Sequence, residues 1–235
     1  MLGSNPSTVL WTKIWYNLFM NKNIIVKKTL DYAKQKLSGE GTGHDFWHTQ
    51  RVYKMAVYLA EKENADLFIV KLAALLHDIA DWKFNDNEKE GSVLSKKWLQ
   101  KLKVDEAIID KVCDIIDDIS FKGVGVSSKM ESIEGKVVQD SDRLDALGAI
   151  GIARTFAYGG HKHREIHNPT VKPKIHKTFS SYKKDQGTSI SHFYEKLFLL
   201  RDLMNTKTAK IIAQQRHKFM EQYLQEFYKE WEVKK

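Results

Sequence analysis

The stretch Leu72–Phe84 reads LAALLHDIADWKF, in which an apolar run ends at an adjacent histidine and aspartate. The apolar residues extend from a candidate helix N-cap at Asp66 to Leu76, and their spacing predicts a helix. Burying His77 or Asp78 at the end of such a face costs several kcal/mol unless the group is paired. Imidazole together with carboxylate suits a divalent metal ion, so one shared ion would satisfy both side chains.

The same periodicity recurs along the rest of the chain. Apolar residues repeat at three- and four-residue spacing, and no run of alternating β-branched residues is bounded by turn signals. We therefore expect an all-α protein. The expected helices cover 26–37, 46–60, 66–76, 86–102, 105–120, 132–158, 189–203 and 206–231.

Composition narrows the class of protein. A chain of 235 residues with 42% hydrophobic residues can bury the core of one large domain. The single cysteine, Cys113, excludes disulfide scaffolds and thiolate zinc cages and favours a cytoplasmic location. No apolar run reaches the ~20 residues that cross a bilayer, and a signal-peptide pattern is absent. Residues 1–21 match the helical periodicity poorly, so we expect a poorly ordered extension followed by one domain over 22–235.

The net charge of +8 has three interpretations: nucleic-acid binding, attraction to anionic lipid, or a pocket for polyanionic substrates. Seven basic and two acidic residues give the segment 159–187 a formal balance of +5. This long basic loop is either a lid that closes on a polyphosphate or a plain solvated loop. The chain lacks a helix-turn-helix signature and an RNP motif, which disfavours a nucleic-acid-binding module.

Two further metal ligands would have to come from other helices. His48 lies 29 residues before His77, the length of one helix and a turn, which suits an antiparallel pair with the two histidines facing each other. Downstream, Asp142 and Asp145 share a helix face, and Asp140 falls on a different side. Each signal alone is weak, because an aspartate before a helix is most often an N-cap. The ordered set is what favours a metal site.

This order of residues resembles the metal motif of the HD-domain superfamily of phosphohydrolases. The resemblance runs from about residue 22 to the C-terminus and is nearest to the YpgQ/YedJ-like bacterial branch. It implies a single HD-domain helical bundle with a long basic loop and C-terminal helices. Five segments carry it: GHDFWHTQRV (43–52), LAALLHDIADWKF (72–84), DSDRLDALGAIGIARTF (140–156), HFYEKLFLLRDLMNT (192–206) and RHKFMEQYLQEFYKEW (216–231).

The resemblance implies one divalent metal ion bound by His48, His77, Asp78 and Asp142. This donor set accommodates Mn, Co, Ni, Fe, Zn or Mg. The implied reaction is hydrolysis of a phosphoester or phosphoanhydride, and for this branch it is cleavage of a nucleoside triphosphate to monophosphate and pyrophosphate. Asp81 matches the acidic position of HDxxE-type nucleotidases, with Asp in place of Glu, and is the candidate general base. A nucleotidase or phosphatase that releases orthophosphate is the alternative, because the motifs define the metal better than the bond.

The positions of the histidines bear on the number of metal ions. No histidine occurs between Asp78 and Asp142, whereas HD enzymes with two metals place additional histidines there. A mononuclear site is therefore favoured and a cyclic-nucleotide phosphodiesterase is disfavoured.

A triphosphate carries about four negative charges and needs cationic partners. Arg51 is the first candidate because it follows His48 by three residues on the same helix face. It reads equally well as a surface arginine with a packed stem. Lys83, Lys122 and Lys196 are further candidates, although most lysines are simply solvated. We expect a monomer or a homodimer that does not contact a membrane.

Overall fold

The structure is a computed structural model that describes residues 6–38, 45–79, 90–119, 130–174 and 187–233, with side chains from residue 21 onward. Nine helices and no strand lie in these ranges, which confirms the all-α prediction. The eighth, α8, is a continuous run over 189–203 that includes a π-helical turn at Phe193–Leu197 and ends in a 3-10 turn. The others are α1 Pro6–Leu37, α2 Phe46–Glu63, α3 Leu67–Leu76, α4 Glu90–Lys101, α5 Glu106–Asp118, α6 Ile133–Asp145, α7 Gly148–His161 and α9 Lys207–Trp231.

The first helix is longer than the periodicity indicated. It begins at Pro6, a residue that suits the first helical position because its missing N–H has no partner there anyway. The expected boundary between extension and domain, at residue 22, therefore falls inside α1. The division itself stays a prediction.

Buried packing surrounds α3. Its side chains Leu72, Leu75 and Leu76 have no exposed surface, and the helix contacts α1, α2, α5 and α6. The carboxylate of Asp66 caps its first turn by accepting from two backbone N–H groups, as the sequence predicts. Because α3 is central, His77, which follows its last turn, lies in the interior of the domain.

The expected helix over 132–158 is wrong. The structure divides this segment into α6 and α7, since Leu147 takes an extended backbone and Gly148 has φ +72°. Glycine is the residue that adopts this left-handed conformation without a steric penalty. A Cβ at this position would also lie 3.1 Å from the Cγ of Arg216 on α9. The break turns α7 away from the axis of α6.

The junction between α8 and α9 is held by Asp140. Its fully buried carboxylate accepts hydrogen bonds from the backbone N–H groups of Asn205 and Thr206 and from the Thr206 hydroxyl, each at 2.8 Å at its shortest. Asp140 thus lies on a different side of α6 from Asp142, as the helical spacing predicts.

No helix in the described ranges has the length and the apolar character needed to span a membrane.

Candidate metal centre

The structure brings His48, His77 and Asp78 together and places Asp142 beside His48. The Nε2 atom of His48 lies 3.3 Å from His77 Nε2, 3.3 Å from Asp78 Oδ2 and 3.4 Å from Asp142 Oδ1. His77 Nε2 lies 3.6 Å from Asp78 Oδ2. His48 is in the first turn of α2, where the Asp45 carboxylate accepts from its backbone N–H at 2.8 Å. The two histidines face each other, as their spacing of 29 residues predicts.

Hydrogen bonds at the Nδ1 atoms of both histidines determine that each ring presents its Nε2 atom to the cluster. His77 Nδ1 donates to the carbonyl oxygen of Ala74 at 2.8 Å, because a carbonyl can only accept. His48 Nδ1 donates to Asp145 Oδ2 at 2.7 Å. In a neutral ring the remaining nitrogen, Nε2, then carries a lone pair. The two lone pairs and the Asp78 carboxylate therefore face one another with no hydrogen between them, and the Asp142 carboxylate adjoins His48, so a cation would stabilise the cluster.

The pKa of His48 also indicates that the cluster favours a positive charge. Burial and the charge of Arg154 both oppose protonation of the imidazole, yet hydrogen bonds to Asp142, Asp145 and Asp78 raise the pKa of His48 to about 10. Burial alone would raise the pKa of Asp142, but its hydrogen bond to His48 holds that pKa below its usual range. The cluster therefore stabilises a cation, either a proton or a metal ion.

The spacing of the donor atoms fits one metal ion. Nitrogen and oxygen ligands at about 2.1 Å from a single ion, at octahedral or tetrahedral angles, lie about 3.0–3.4 Å from one another. The observed separations of 3.3–3.6 Å are close to this range. His48, His77 and Asp78 form a possible metal site in which all ligand atoms lie within 4.8 Å of each other, and Asp142 adjoins it through His48.

Asp145 and Arg154 are residues of the site to which the sequence assigned no role. Beyond His48, the Asp145 carboxylate accepts from Arg51 Nε at 2.7 Å and Nη2 at 3.0 Å, and from Arg154 Nη1 at 2.9 Å. For Asp145, the helix face that it shares with Asp142 was a sequence signal. No sequence signal indicated Arg154, because it reaches Asp145 only through the break before α7.

Of the other predicted residues, the structure describes only Arg51 and Lys196. Arg51 is paired with Asp145 and keeps a side-chain exposure of 35%. Lys196 lies in α8, four residues after His192. Burial, followed by the charges of Lys196 and Arg164, lowers the pKa of His192 to about 3. The remaining candidates, Asp81, Lys83 and Lys122, lie outside the described residues.

Comparison with known proteins agrees with this geometry. The HD domain family model matches residues 46–147, the range that contains all four proposed ligands. YpgQ of Bacillus subtilis is 40% identical over 200 residues, which cover 85% of this chain and 90% of YpgQ. The chain belongs to the HD-domain family. Its all-α fold and its possible metal site agree with this membership, because HD domains bind a divalent metal ion.

Solved structures extend the similarity to nearly the whole fold. A Lactobacillus plantarum protein matches with a TM-score of 0.79 and 40% identity over 89% of this chain and 98% of its own. An HD-superfamily hydrolase of Bacillus thuringiensis matches with a TM-score of 0.73 and 45% identity, over 91% of this chain and 100% of its own. The structure of Bacillus subtilis YpgQ in complex with ADP matches with a TM-score of 0.70 and 38% identity, over 87% of this chain and 97% of its own. We conclude that this HD-domain chain is an HD-superfamily hydrolase.

Proposed function

We propose that this protein uses one divalent metal ion to hydrolyse nucleoside triphosphates to monophosphate and pyrophosphate. The observation that carries the proposal is that Nε2 of His48 lies within 3.4 Å of His77 Nε2 and of one carboxylate oxygen each of Asp78 and Asp142. Support for a nucleotide substrate comes from the related YpgQ, whose crystal structure contains ADP.

A bound divalent ion supplies two effects, an acidified water molecule and an electrophilic pull on a phosphoryl oxygen. The chain contributes the preorganisation. Asp145 keeps a proton on Nδ1 of His48, and the Ala74 carbonyl keeps one on Nδ1 of His77. Both Nε2 atoms are therefore oriented as ligands, and no ring rotation is needed before the ion binds.

Arg51 is the described cation best placed to orient a phosphate group. Its Nε and Nη2 atoms are bound to Asp145, which leaves Nη1 for a phosphate oxygen. The hydrogen bond with Asp145 is the main reason that the pKa of Arg51 is raised, so the side chain stays charged. Lys83, Lys122 and Lys196 are further proposed partners of the polyphosphate.

Asp81 is proposed as the general base that accepts the proton of the attacking water. We expect Asp81→Asn to keep the metal content of the wild type and to lower turnover by about 100-fold or more. Asp81→Glu, which supplies the longer arm of the HDxxE pattern, should retain more activity than Asp81→Asn. An unchanged rate in Asp81→Asn would remove this residue from the mechanism.

The reaction itself is tested by identifying the products. The protein is incubated with each of the common nucleoside triphosphates and Mn²⁺, Co²⁺, Ni²⁺ or Mg²⁺ in water enriched in ¹⁸O. Attack at the α-phosphorus yields pyrophosphate and a monophosphate that carries the label, which mass spectrometry detects. Orthophosphate as the first product would instead support the nucleotidase or phosphatase alternative.

Metal dependence is tested with a matched pair of variants. Asp78→Asn removes one proposed ligand and should lose both bound metal and hydrolysis. Asp110→Asn changes an exposed carboxylate on α5 and should leave both intact. Equal activity in the two variants would contradict a reaction at this cluster.

A further inference from the structure

A cavity of about 290 Å³ lies beside the metal cluster, between α2, α6, α7 and α9. Asp145 forms part of its wall and binds Nδ1 of His48, whereas the proposed metal ligands gather at Nε2 of the same ring. None of the four proposed ligands is among the described residues of the wall. The cavity is therefore separate from the cluster, although only one hydrogen bond lies between the wall and His48.

Positive charge dominates the described wall. It contains the cations Arg51, Lys54 and Arg216 and a single carboxylate, Asp145. That carboxylate is already shared by Arg51 and by Arg154 from outside the wall. The cavity thus holds more cations than its own acidic group can neutralise.

Arg216 and Lys54 are the cations that an added anion would satisfy. Arg216 donates to the carbonyl oxygen of Leu144, and no carboxylate of the described residues lies within ion-pair distance of it. Burial lowers the pKa of Arg216, and the charge of Asp145 offsets that effect only in part. Lys54 likewise forms no ion pair with a described residue. A desolvated guanidinium beside a free ammonium is suited to a phosphate group.

Apart from Ser141, the rest of the described wall is apolar or aromatic and incompletely covered. Met55, Tyr58 and Ile150 line it, and Tyr58 and Ile150 are 45% and 42% exposed. Small-molecule sites typically combine such apolar and aromatic surface with a few polar groups. The volume is close to the lower end of the ~300–1,000 Å³ range of these sites, which suits a small ligand.

We propose that this cavity binds a small phosphate ester, with the phosphate between Lys54 and Arg216 and the organic part against Met55, Tyr58 and Ile150. The site needs no metal ion, because none of its described lining residues is a proposed ligand. Arg51 and Asp145 belong to both sites, but binding here does not require the reaction proposed above.

The test measures binding in the absence of metal. Isothermal titration of EDTA-treated full-length protein compares AMP, adenosine and inorganic phosphate as probes. AMP should bind more tightly than either of the others, because it alone offers both the anion and the aromatic part. Lys54→Met and Arg216→Met should each weaken AMP binding by about tenfold or more, as expected for one charge-assisted contact. Lys218→Met, an exposed cation on α9 outside the described wall, should have no effect.

Three results would overturn the proposal. These are equal affinity for adenosine and AMP, equal weakening by Lys54→Met and Lys218→Met, and AMP binding that requires Mn²⁺ and disappears in His77→Ala. Lys54 is exposed, so Lys54→Met decides the question even where Arg216→Met fails to fold. Loss of the triphosphatase reaction would leave these metal-free titrations unaffected, so the two proposals fail separately.

Discussion

His48 donates from Nδ1 to Asp145 at 2.7 Å, and the same carboxylate is held by the guanidinium groups of Arg51 and Arg154. The imidazole that would bind the metal is thus oriented by an aspartate on its opposite side. Two arginines keep that aspartate ionised: burial raises the pKa of Asp145, but the hydrogen bonds to His48 and Arg51 and the charge of Arg154 bring it below its usual range.

Asp145→Asn should weaken metal binding by about 10–100-fold, because the orientation of His48 is then no longer fixed by a charged acceptor. Titration of metal-free protein with Mn²⁺ measures the change. Arg154→Gln is the control, since it removes one partner of Asp145 and keeps the bond to His48. A loss of affinity as large in Arg154→Gln as in Asp145→Asn would show that charge, not orientation, is the cause.

Two aspartates separated by one residue should respond differently to the same substitution. Asp142→Asn should reduce metal affinity at least tenfold. Asp140→Asn should keep metal affinity and lower the free energy of unfolding by about 1–3 kcal/mol, because its buried partners at Asn205 and Thr206 lose a charged acceptor. Metal titration and urea unfolding of both variants separate the two roles. Metal loss in Asp140→Asn would contradict this assignment.

Stability should fall in mild acid because of His192. The unfolded chain binds a proton at this residue below about pH 6.5, whereas the folded protein binds one only near pH 3. Stability contributed by the neutral ring is therefore lost as the pH falls from 6.5 towards 3, by at most about 1.4 kcal/mol per pH unit. His192→Gln should flatten the profile of unfolding free energy against pH over this window. The exposed His161→Gln should not, and a similar change in both variants would refute the prediction.

Gly148→Ala should destabilise the protein by about 1–2 kcal/mol, since alanine must adopt a left-handed backbone there. Its Cβ would also press against the side chain of Arg216. Gly160→Ala is the matched control in the same helix, because a Cβ there meets nothing within 4 Å. Chemical denaturation of both variants measures the difference. An equal or smaller loss in Gly148→Ala would contradict the backbone argument.

The parts of the site that local spacing determines could be predicted from the sequence. The apolar run before His77 and the separation from His48 indicate a buried helix pair with facing histidines, because helical period and chain length alone set that contact. The break between Asp145 and Gly148 escaped prediction, since buried residues such as Leu144 and Leu147 continue the apolar pattern across it. Tertiary packing against α9 decides the turn, and the contact between Asp145 and Arg154 depends on it.

The helix break at Gly148 determines which part of the chain supplies the partners of Asp145. The match to the HD domain ends at residue 147, so Arg154 balances the charge of Asp145 from a helix outside the shared motif. A substitution at Arg154 would therefore change the charge around Asp145 while every proposed ligand stays in place.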